Sequence, residues 1–189
     1  MESALIVSCT KKSASIFFEM LNTAGIKQIT VLASSEEARG LLMEQDFDLV
    51  IVDAPLSDEF GEGFSRYAAS KDMLQVILAV NSEHFNAAAS ACAEDGIFTI
   101  SKPVNTEVFW QALSLAKSAN SRIKRIQAEN KKLKQMIKDI RVIDRAKCLL
   151  ISYVNLSEQE AHRFIEKQAM DLRSSKRTIA EEIIKTYAS

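Results

Sequence analysis

The first half of the chain alternates short, β-branched apolar segments with amphipathic stretches, and this alternation constrains the fold more than any other feature. Five of the segments are almost continuously apolar, as strands buried on both faces of a parallel sheet are. They span residues 4–9, 28–33, 49–53, 75–80 and 97–101. Because stretches with helical spacing lie between them, the pattern predicts a doubly wound α/β domain with a five-stranded parallel sheet. Ligands of such folds bind at the carboxyl ends of the strands.

Three features lie at the predicted carboxyl edge of this sheet. Asp53 ends the third strand, Gly61 follows it in the next loop, and Lys102-Pro103 follows the fifth strand. Together they resemble a response-regulator receiver domain over about residues 1–113. The resemblance implies a flavodoxin-like fold in which the Asp accepts a phosphoryl group and the Lys pairs with its charge. The alternative is that Asp53 and Lys102 form a buried or half-buried ion pair that holds the strand ends together.

The residues around Asp53 also depart from the receiver pattern. Receivers place two acidic residues just after the first strand, where this chain has Ser8-Cys9-Thr10. Phosphoryl transfer to an Asp needs a divalent cation held by carboxylates. We therefore expect a degenerate receiver that is phosphorylated poorly or not at all, and we expect no cofactor. Mg²⁺ would be needed only if phosphorylation were retained, with Asp53 and Lys102 as the phosphoacceptor-like residues.

The two halves of the chain carry opposite charge. Residues 1–113 contain 7 Lys and Arg against 16 Asp and Glu, a net charge of −9, and residues 114–189 contain 17 against 9, a net charge of +8. A basic half of this kind fits a nucleic-acid partner, and it fits equally a helical segment kept soluble by its charge. The 189 residues have room for one ordinary domain and a small second one.

Cysteine usage and hydropathy predict a cytoplasmic protein. The three cysteines, Cys9, Cys92 and Cys148, are odd in number and far apart, as in a reducing compartment. No apolar run approaches the roughly 18 residues of a membrane span, and MESALIVSC lacks the basic region and cleavage site of a signal peptide. We expect no membrane association. The sequence has no catalytic arrangement of nucleophile and base and no Gly-rich phosphate loop, so we expect no enzyme.

A helical region without Gly or Pro follows Asn105, and beyond Ser121 its apolar residues fall at heptad spacing. Heptad position a holds Ile123, Asn130 and Ile137, and position d holds Ile126, Leu133 and Ile140. An Asn at position a favours a parallel two-stranded register. We therefore predict a homodimeric coiled coil. The seam lasts only about 2.5 heptads, so a single amphipathic helix packed on its own domain is the alternative.

The last third of the chain predicts three short helices. The first continues the heptad helix to about Tyr153, the second begins at a capping box formed by Ser157 and Glu160, and the third is capped by Ser174 or Ser175. Three helices of this size enclose a small core, which attachment to a dimeric stalk would help to stabilise.

A set of residues in these helices falls at the spacing of a known family. The set is Ala146-Lys147, Leu150, Leu156-Ser157-Glu158, Glu160-Ala161, Ala169-Met170 and Ala180. Through them, about residues 139–186 resemble the ANTAR family of RNA-binding domains, of the AmiR and NasR type. The resemblance implies a dimeric transcription antiterminator that recognises two short hairpin loops in nascent leader RNA, one for each ANTAR unit. Two departures are Cys148, where a Gly is usual, and His162, where an aromatic residue is common.

Basic and hydroxyl side chains of this segment are the candidate RNA contacts. Arg145 and Lys147 lie on the first helix, and His162 on the second is a candidate for stacking on a loop base. A further cluster lies at the start of the third helix, where free N–H groups add to phosphate attraction. It consists of Arg173, Ser174, Lys176, Arg177 and Thr178. The alternative for each basic residue is a solvated surface side chain, and for His162 a residue on an ordinary helix face.

We thus predict a receiver-like domain at residues 1–118, a coiled-coil linker helix at 119–140 and an ANTAR domain at 141–189. The predicted function is RNA-binding transcription antitermination. Alternatives are a phosphorylation-dependent two-component response regulator that binds RNA or DNA, and a dimerisation or interaction module that binds no nucleic acid. Control would come from a sensor kinase or, without phosphorylation, from a ligand-sensing protein that sequesters the dimer, as the resemblance implies for AmiR-type members.

Overall fold

The predicted alternation of strands and helices is confirmed in the computed structural model, which describes residues 1–71 and 73–187. In order along the chain, the first elements are β1 (Ser3–Ser8), α1 (Lys11–Thr23), β2 (Gln28–Leu32), α2 (Ser35–Glu44), β3 (Leu49–Asp53) and α3 (Glu62–Ala69). They are followed by β4 (Gln75–Asn81), a 3₁₀ turn (Ser82–His84), α4 (Phe85–Cys92), β5 (Phe98–Lys102), α5 (Thr106–Val154), α6 (Glu158–Asp171) and α7 (Lys176–Tyr187).

The described residues divide into two compact units, Met1–Arg125 and Ile126–Ser189. The domain limits predicted from the sequence, 1–118, 119–140 and 141–189, remain predictions, and the final two residues lie outside the described part of the chain. In that described part, no helix is both long and apolar enough to cross a membrane.

The first unit is built on a parallel sheet with the strand order β2-β1-β3-β4-β5. Side chains alternate between its two faces, and each face has its own apolar core. Helices α2, α3 and α4 cover one face, with Phe64 and Ala88 fully buried there. Helices α1 and α5 cover the other, where the rings of Phe17 and Phe109 lie 5.9 Å apart. Burial on both faces explains why β1, β3 and β4 are continuously apolar in sequence, whereas the edge strands β2 and β5 are partly exposed.

Short polar signals set the ends of these elements. The Ser34 hydroxyl accepts a hydrogen bond from the Glu37 amide at 3.3 Å and begins α2. The Asn105 side chain accepts one from the Glu107 amide at 2.8 Å and begins α5. Gly61 has φ +115°, and a Cβ at this position would lie 3.0 Å from a methyl group of Val52. A glycine is therefore required in the loop after β3, next to the strand that carries Asp53.

In the second unit the C-terminal part of α5 packs with α6 and α7 around a core of eight buried residues. Each helix contributes one fully buried alanine, Ala146, Ala161 and Ala180, which permits the three backbones to approach closely. The capping box of Ser157 and Glu160 is confirmed, with each side chain bonded to the other residue's backbone amide. The alanines among the residues that predicted this domain are therefore packing residues.

Candidate phosphoacceptor and RNA sites

Asp53 lies at the carboxyl end of β3 and is 2% exposed. Its neighbour on β1 is Ser8, whose hydroxyl donates a hydrogen bond of 2.7 Å to Asp53 Oδ2. Lys102 at the end of β5 places its Nζ 2.9 Å from Asp53 Oδ1 and also donates to the carbonyl of Ala54. Both carboxylate oxygens are therefore occupied by side chains of the protein itself.

The donors around Asp53 do not fit a divalent cation, which prefers several carboxylate or carbonyl oxygens. The β1 neighbour is a hydroxyl donor, and Lys102 supplies a positive charge where a cation would need ligands. Asp58 in the β3–α3 loop accepts hydrogen bonds from the Ser35 amide and hydroxyl, which hold its pKa at about 2. Within residues 1–71 and 73–187, no group of three or more His, Cys, Asp or Glu side chains forms a metal site.

The loops beside the ion pair are joined to one another. The Ser82 hydroxyl, after β4, donates a hydrogen bond of 2.7 Å to the carbonyl of Lys102. The ring of Phe60, after β3, lies edge-on to the ring of His84 with centroids 5.3 Å apart. The carboxyl edge of the sheet is thus held together by contacts between side chains and loops.

Lys147, a predicted RNA contact, joins α5 to α6. Its Nζ lies 2.8 Å from Asp144 Oδ1 and 3.0 Å from Glu158 Oε1, and its side chain is only 16% exposed. The hydrogen bonds to Asp144 and Glu158 raise the pKa of Lys147. Most of its hydrogen-bonding capacity is already used within the protein.

Arg177, also predicted to contact RNA, joins α7 to α5. Its Nε lies 2.8 Å from Glu181 Oε1 and its Nη1 lies 2.7 Å from Asp139 Oδ1. The hydrogen bonds with Glu181 and Asp139 raise the pKa of Arg177, and the bond to Arg177 lowers the pKa of Asp139. Arg177 therefore sets the position at which α7 begins along α5.

Lys176 and His162 meet at one carboxylate between α6 and α7. Lys176 forms a close ion pair with Glu166, and His162 Nε2 lies 3.3 Å from the same Glu166 oxygen. The hydrogen bond from Lys176 lowers the pKa of Glu166. Together with the contacts of Lys147 and Arg177, they join each of the three pairs of helices by an ion pair.

The remaining predicted RNA contacts are less involved in contacts within the protein. Arg145 and Arg173 are exposed and, among the described residues, have no ion-pair partner. Arg173 lies in the α6–α7 turn with φ +48°. Ser174 next to it is half-buried, and the Thr178 hydroxyl is 2.8 Å from that of Ser175, the residue whose oxygen caps α7. Whether any of these side chains touches RNA stays a prediction.

The acidic partners of these cations were not among the residues predicted from the sequence. Spacing along a helix would have found two of them, because Asp144 precedes Lys147 by one turn and Glu181 follows Arg177 by one turn. No local signal indicates the pair of Asp139 with Arg177, since it depends on how the helices pack.

The predicted heptad seam lies on the solvent-facing side of α5. Four apolar residues of the seam are between 45% and 57% exposed, namely Ile126, Leu133, Ile137 and Ile140. Asn130 is also exposed, and Ile123 is half-buried. An apolar row of this length is unusual on a free helix surface.

Comparisons with known proteins agree with this architecture. Residues 131–184 match the family model of the ANTAR domain. The chain is 24% identical over 171 residues to the transcriptional regulatory protein PdtaR of Mycobacterium tuberculosis, a match that covers 90% of this chain and 83% of PdtaR.

Solved receiver structures share the fold of the first unit. The signal receiver domain of an HD-domain protein from Pseudomonas fluorescens superposes with a TM-score of 0.58 at 18% identity, over 66% of this chain and 92% of that one. The CheY-like receiver domain from Methylobacillus flagellatus gives 0.53 at 20% identity, over 61% and 98%. The chain is therefore an ANTAR-domain regulator whose ANTAR domain is preceded by a domain of the receiver fold.

Proposed function

We propose that this protein is an RNA-binding transcription antitermination regulator whose dimer recognises paired hairpin loops in nascent leader RNA. The ANTAR match at residues 131–184 is the observation that carries the proposal. The net charge of +8 over residues 114–189 supports it, because phosphate neutralisation supplies much of the affinity of proteins for RNA. The receiver fold and the ANTAR domain together point to a regulator that is not an enzyme. An antiterminator acts on the growing transcript, so the proposal includes a cytoplasmic location.

The contacts within the second unit divide the candidate RNA residues into two groups. Lys147, Lys176 and Arg177 hold the helices together, so replacing them would change folding and binding at once. Arg145 and Arg173 are exposed and make no ion pair among the described residues, so their replacement tests binding alone. We assign these two arginines as the first probes of the RNA surface.

The experiment begins with the transcripts that co-purify with the full-length protein after crosslinking. The leader RNA recovered in this way, with its two hairpins, is compared with duplex DNA of the same length at the same salt concentration. The variant Arg145→Ala/Arg173→Ala should bind the RNA at least about tenfold more weakly, since charged contacts to nucleic acid contribute roughly a factor of several each.

A charge-matched control is available in the first unit. Arg122 and Arg125 are exposed on α5 and have no ion-pair partner among the described residues. The variant Arg122→Ala/Arg125→Ala should keep near wild-type affinity for the RNA. Preference of the wild-type protein for duplex DNA, or an equal loss in both double variants, would contradict the proposed RNA surface.

We also propose that the exposed heptad seam forms a parallel two-stranded coiled coil with a second copy of the chain. About half of each of the side chains Ile126, Leu133, Ile137 and Ile140 is open to solvent. Burying them against a copy would remove this apolar area from water, and Asn130 would fix the register. In sedimentation experiments the wild-type protein should be a dimer and Leu133→Glu a monomer. A wild-type monomer at micromolar concentration would contradict the coiled coil.

The receiver-like unit is proposed not to be phosphorylated in the usual way. The observation behind this proposal is the closed set of Ser8, Asp53 and Lys102, which provides one carboxylate and no metal site. Incubation with a small phosphodonor and Mg²⁺ should leave the intact mass unchanged. Stoichiometric addition of a phosphoryl group that disappears in Asp53→Asn would show a working receiver. Control by a ligand-sensing partner that sequesters the dimer is then the favoured form of regulation over a sensor kinase.

A further inference from the structure

One face of α5 carries a row of five cations, of which only Arg145 is among the RNA contacts assigned above. Successive members are separated by three or four residues, so they stack along the helix over about 21 Å and within about 80° of arc. The row consists of Lys131, Lys134, Lys138, Arg141 and Arg145. All five side chains are exposed, and we call this row the α5 basic stripe.

The charges of the stripe are not neutralised by the residues that the structure describes. None of its five members forms an ion pair with any residue in 1–71 or 73–187. The carboxylates on this part of α5 are Glu129, Asp139 and Asp144, and each lies at least about 100° around the helix from the centre of the stripe. Two of the three are occupied, Asp139 by Arg177 and Asp144 by Lys147. The charge on α5 is thus segregated, with an uncompensated positive face.

The stripe remains accessible when the proposed coiled coil forms. The apolar seam is centred about 100° away around the helix, so the stripe lies along its flank. At heptad positions e and g, Lys134 would pair with Glu129 of the second copy, while Arg141 would face Met136 there. Lys131, Lys138 and Arg145 lie farther from the seam and stay open to solvent.

We propose that the α5 basic stripe binds the sugar-phosphate backbone of a double-stranded RNA stem. The proposal rests on the proposed RNA-binding function and extends it from hairpin loops to the stems that carry them. Phosphate contacts hold a protein in register without reading sequence, and duplex RNA is recognised mainly through its shape and backbone. A helix with cations at each turn provides such contacts.

The stripe lies along the part of α5 against which α7 begins. Arg177, in the first turn of α7, contacts Asp139 on α5, so α7 begins level with the middle of the stripe but about 120° around α5 from it. Arg145 belongs both to the stripe and to the residues assigned to the hairpin. A stem bound along α5 would therefore meet the residues assigned to the hairpin at Arg145.

The test uses the full-length protein and a blunt RNA duplex of about 20 base pairs without loops, because backbone contacts need no particular sequence. Lys138→Ala/Arg141→Ala should weaken binding about tenfold at low salt and reduce the slope of log K against log salt concentration by about one to two. The matched control is Arg122→Ala/Lys132→Ala, which removes the same charge from exposed α5 residues about 140° from the stripe. The control should change affinity less than about threefold.

The possible outcomes distinguish failure of the stripe proposal from failure of the antitermination proposal. If the protein binds the two-hairpin leader RNA but not the plain duplex, the stripe proposal is wrong and the antitermination proposal stands. Equal losses in the two double variants would also overturn the stripe, as would equal or tighter binding to duplex DNA of the same length. If neither RNA binds, both proposals fail. Circular dichroism should show unchanged helix content, since all four replaced side chains are exposed and alanine favours helix.

Discussion

Removal of Lys102 should destabilise the receiver-like unit more than removal of its partner. Asp53 has a side chain that is 3% exposed, whereas that of Lys102 is 22% exposed. In Lys102→Ala the carboxylate stays buried with only the Ser8 hydroxyl as a donor. Breaking a buried pair in this way costs roughly 3–5 kcal/mol, and partial exposure reduces our expectation to about 2–4 kcal/mol.

The reverse substitution should cost less. In Asp53→Ala the ammonium group of Lys102 can still donate to the Ala54 carbonyl and can reach water, so we expect a loss of about 1–3 kcal/mol. The double variant has no uncompensated charge. It should be no less stable than Lys102→Ala alone, which corresponds to a coupling energy on the order of 1–3 kcal/mol between the two residues.

Urea unfolding followed by tryptophan fluorescence measures these differences. The single tryptophan, Trp110, packs against the core that α1 and α5 form on the sheet, so its emission reports on the first unit. Ser82→Ala is the local control, because it removes only the exposed hydrogen bond to the Lys102 carbonyl and should cost less than about 1 kcal/mol. If the two single losses add in the double variant within about 0.5 kcal/mol, the pair is not coupled and the argument is refuted.

Two further predictions concern stability. Burial alone would raise the pKa of Asp48, but hydrogen bonds from Lys124 and from two backbone amides lower it to about 2, below the usual 3.8. This contribution is therefore nearly complete above about pH 4 and is lost as the pH falls through 2. Asp48→Asn should cost about 1–2 kcal/mol at neutral pH and progressively less as the pH falls below about 4. A difference that does not vary with pH would contradict this. Leu150, 2% exposed in the core of the second unit, should cost about 2–4 kcal/mol when replaced by Ala, as measured by circular dichroism. The control Leu172→Ala, at a position 60% exposed, should cost less than about 0.5 kcal/mol, and equal losses would contradict the assigned core.

The sequence was sufficient to predict the sheet because its three central strands, β1, β3 and β4, are buried on both faces. A continuous apolar run then marks each strand without any alternation to interpret. The ends of the strands were less certain, since pairing with neighbours determines them. The first strand begins at Ser3, which pairs with Gln28, one residue before the predicted start. The fifth ends at Lys102, one residue after the predicted end, where Lys102 is the neighbour of Asn81 on β4.

The site residues were harder to interpret because their partners are distant in sequence. Asp53 and Lys102 were recognised through a family pattern, but the role of Ser8 depends on its place beside Asp53 in the sheet register. Helix caps were predictable, since a cap and its partner are three residues apart, as Ser157 and Glu160 are. The cations of the second unit were predicted as one RNA surface, although Arg177 and two others have carboxylate partners that only the packing of three helices brings near.

The cations of a basic segment can either stabilise the fold or bind a partner. The two roles differ in whether a carboxylate of the protein lies beside the cation. Cations that stabilise helix packing lie between helices with a carboxylate within about 3 Å, as Lys147 and Arg177 do. Cations kept for a polyanion have no such partner, because an internal carboxylate would compete with each phosphate. Arg145 and Arg173 meet this second condition, and so does the α5 basic stripe. Salt should therefore affect the two groups differently: RNA affinity should fall steeply with ionic strength through the open cations, whereas the short internal pairs should keep the helices together.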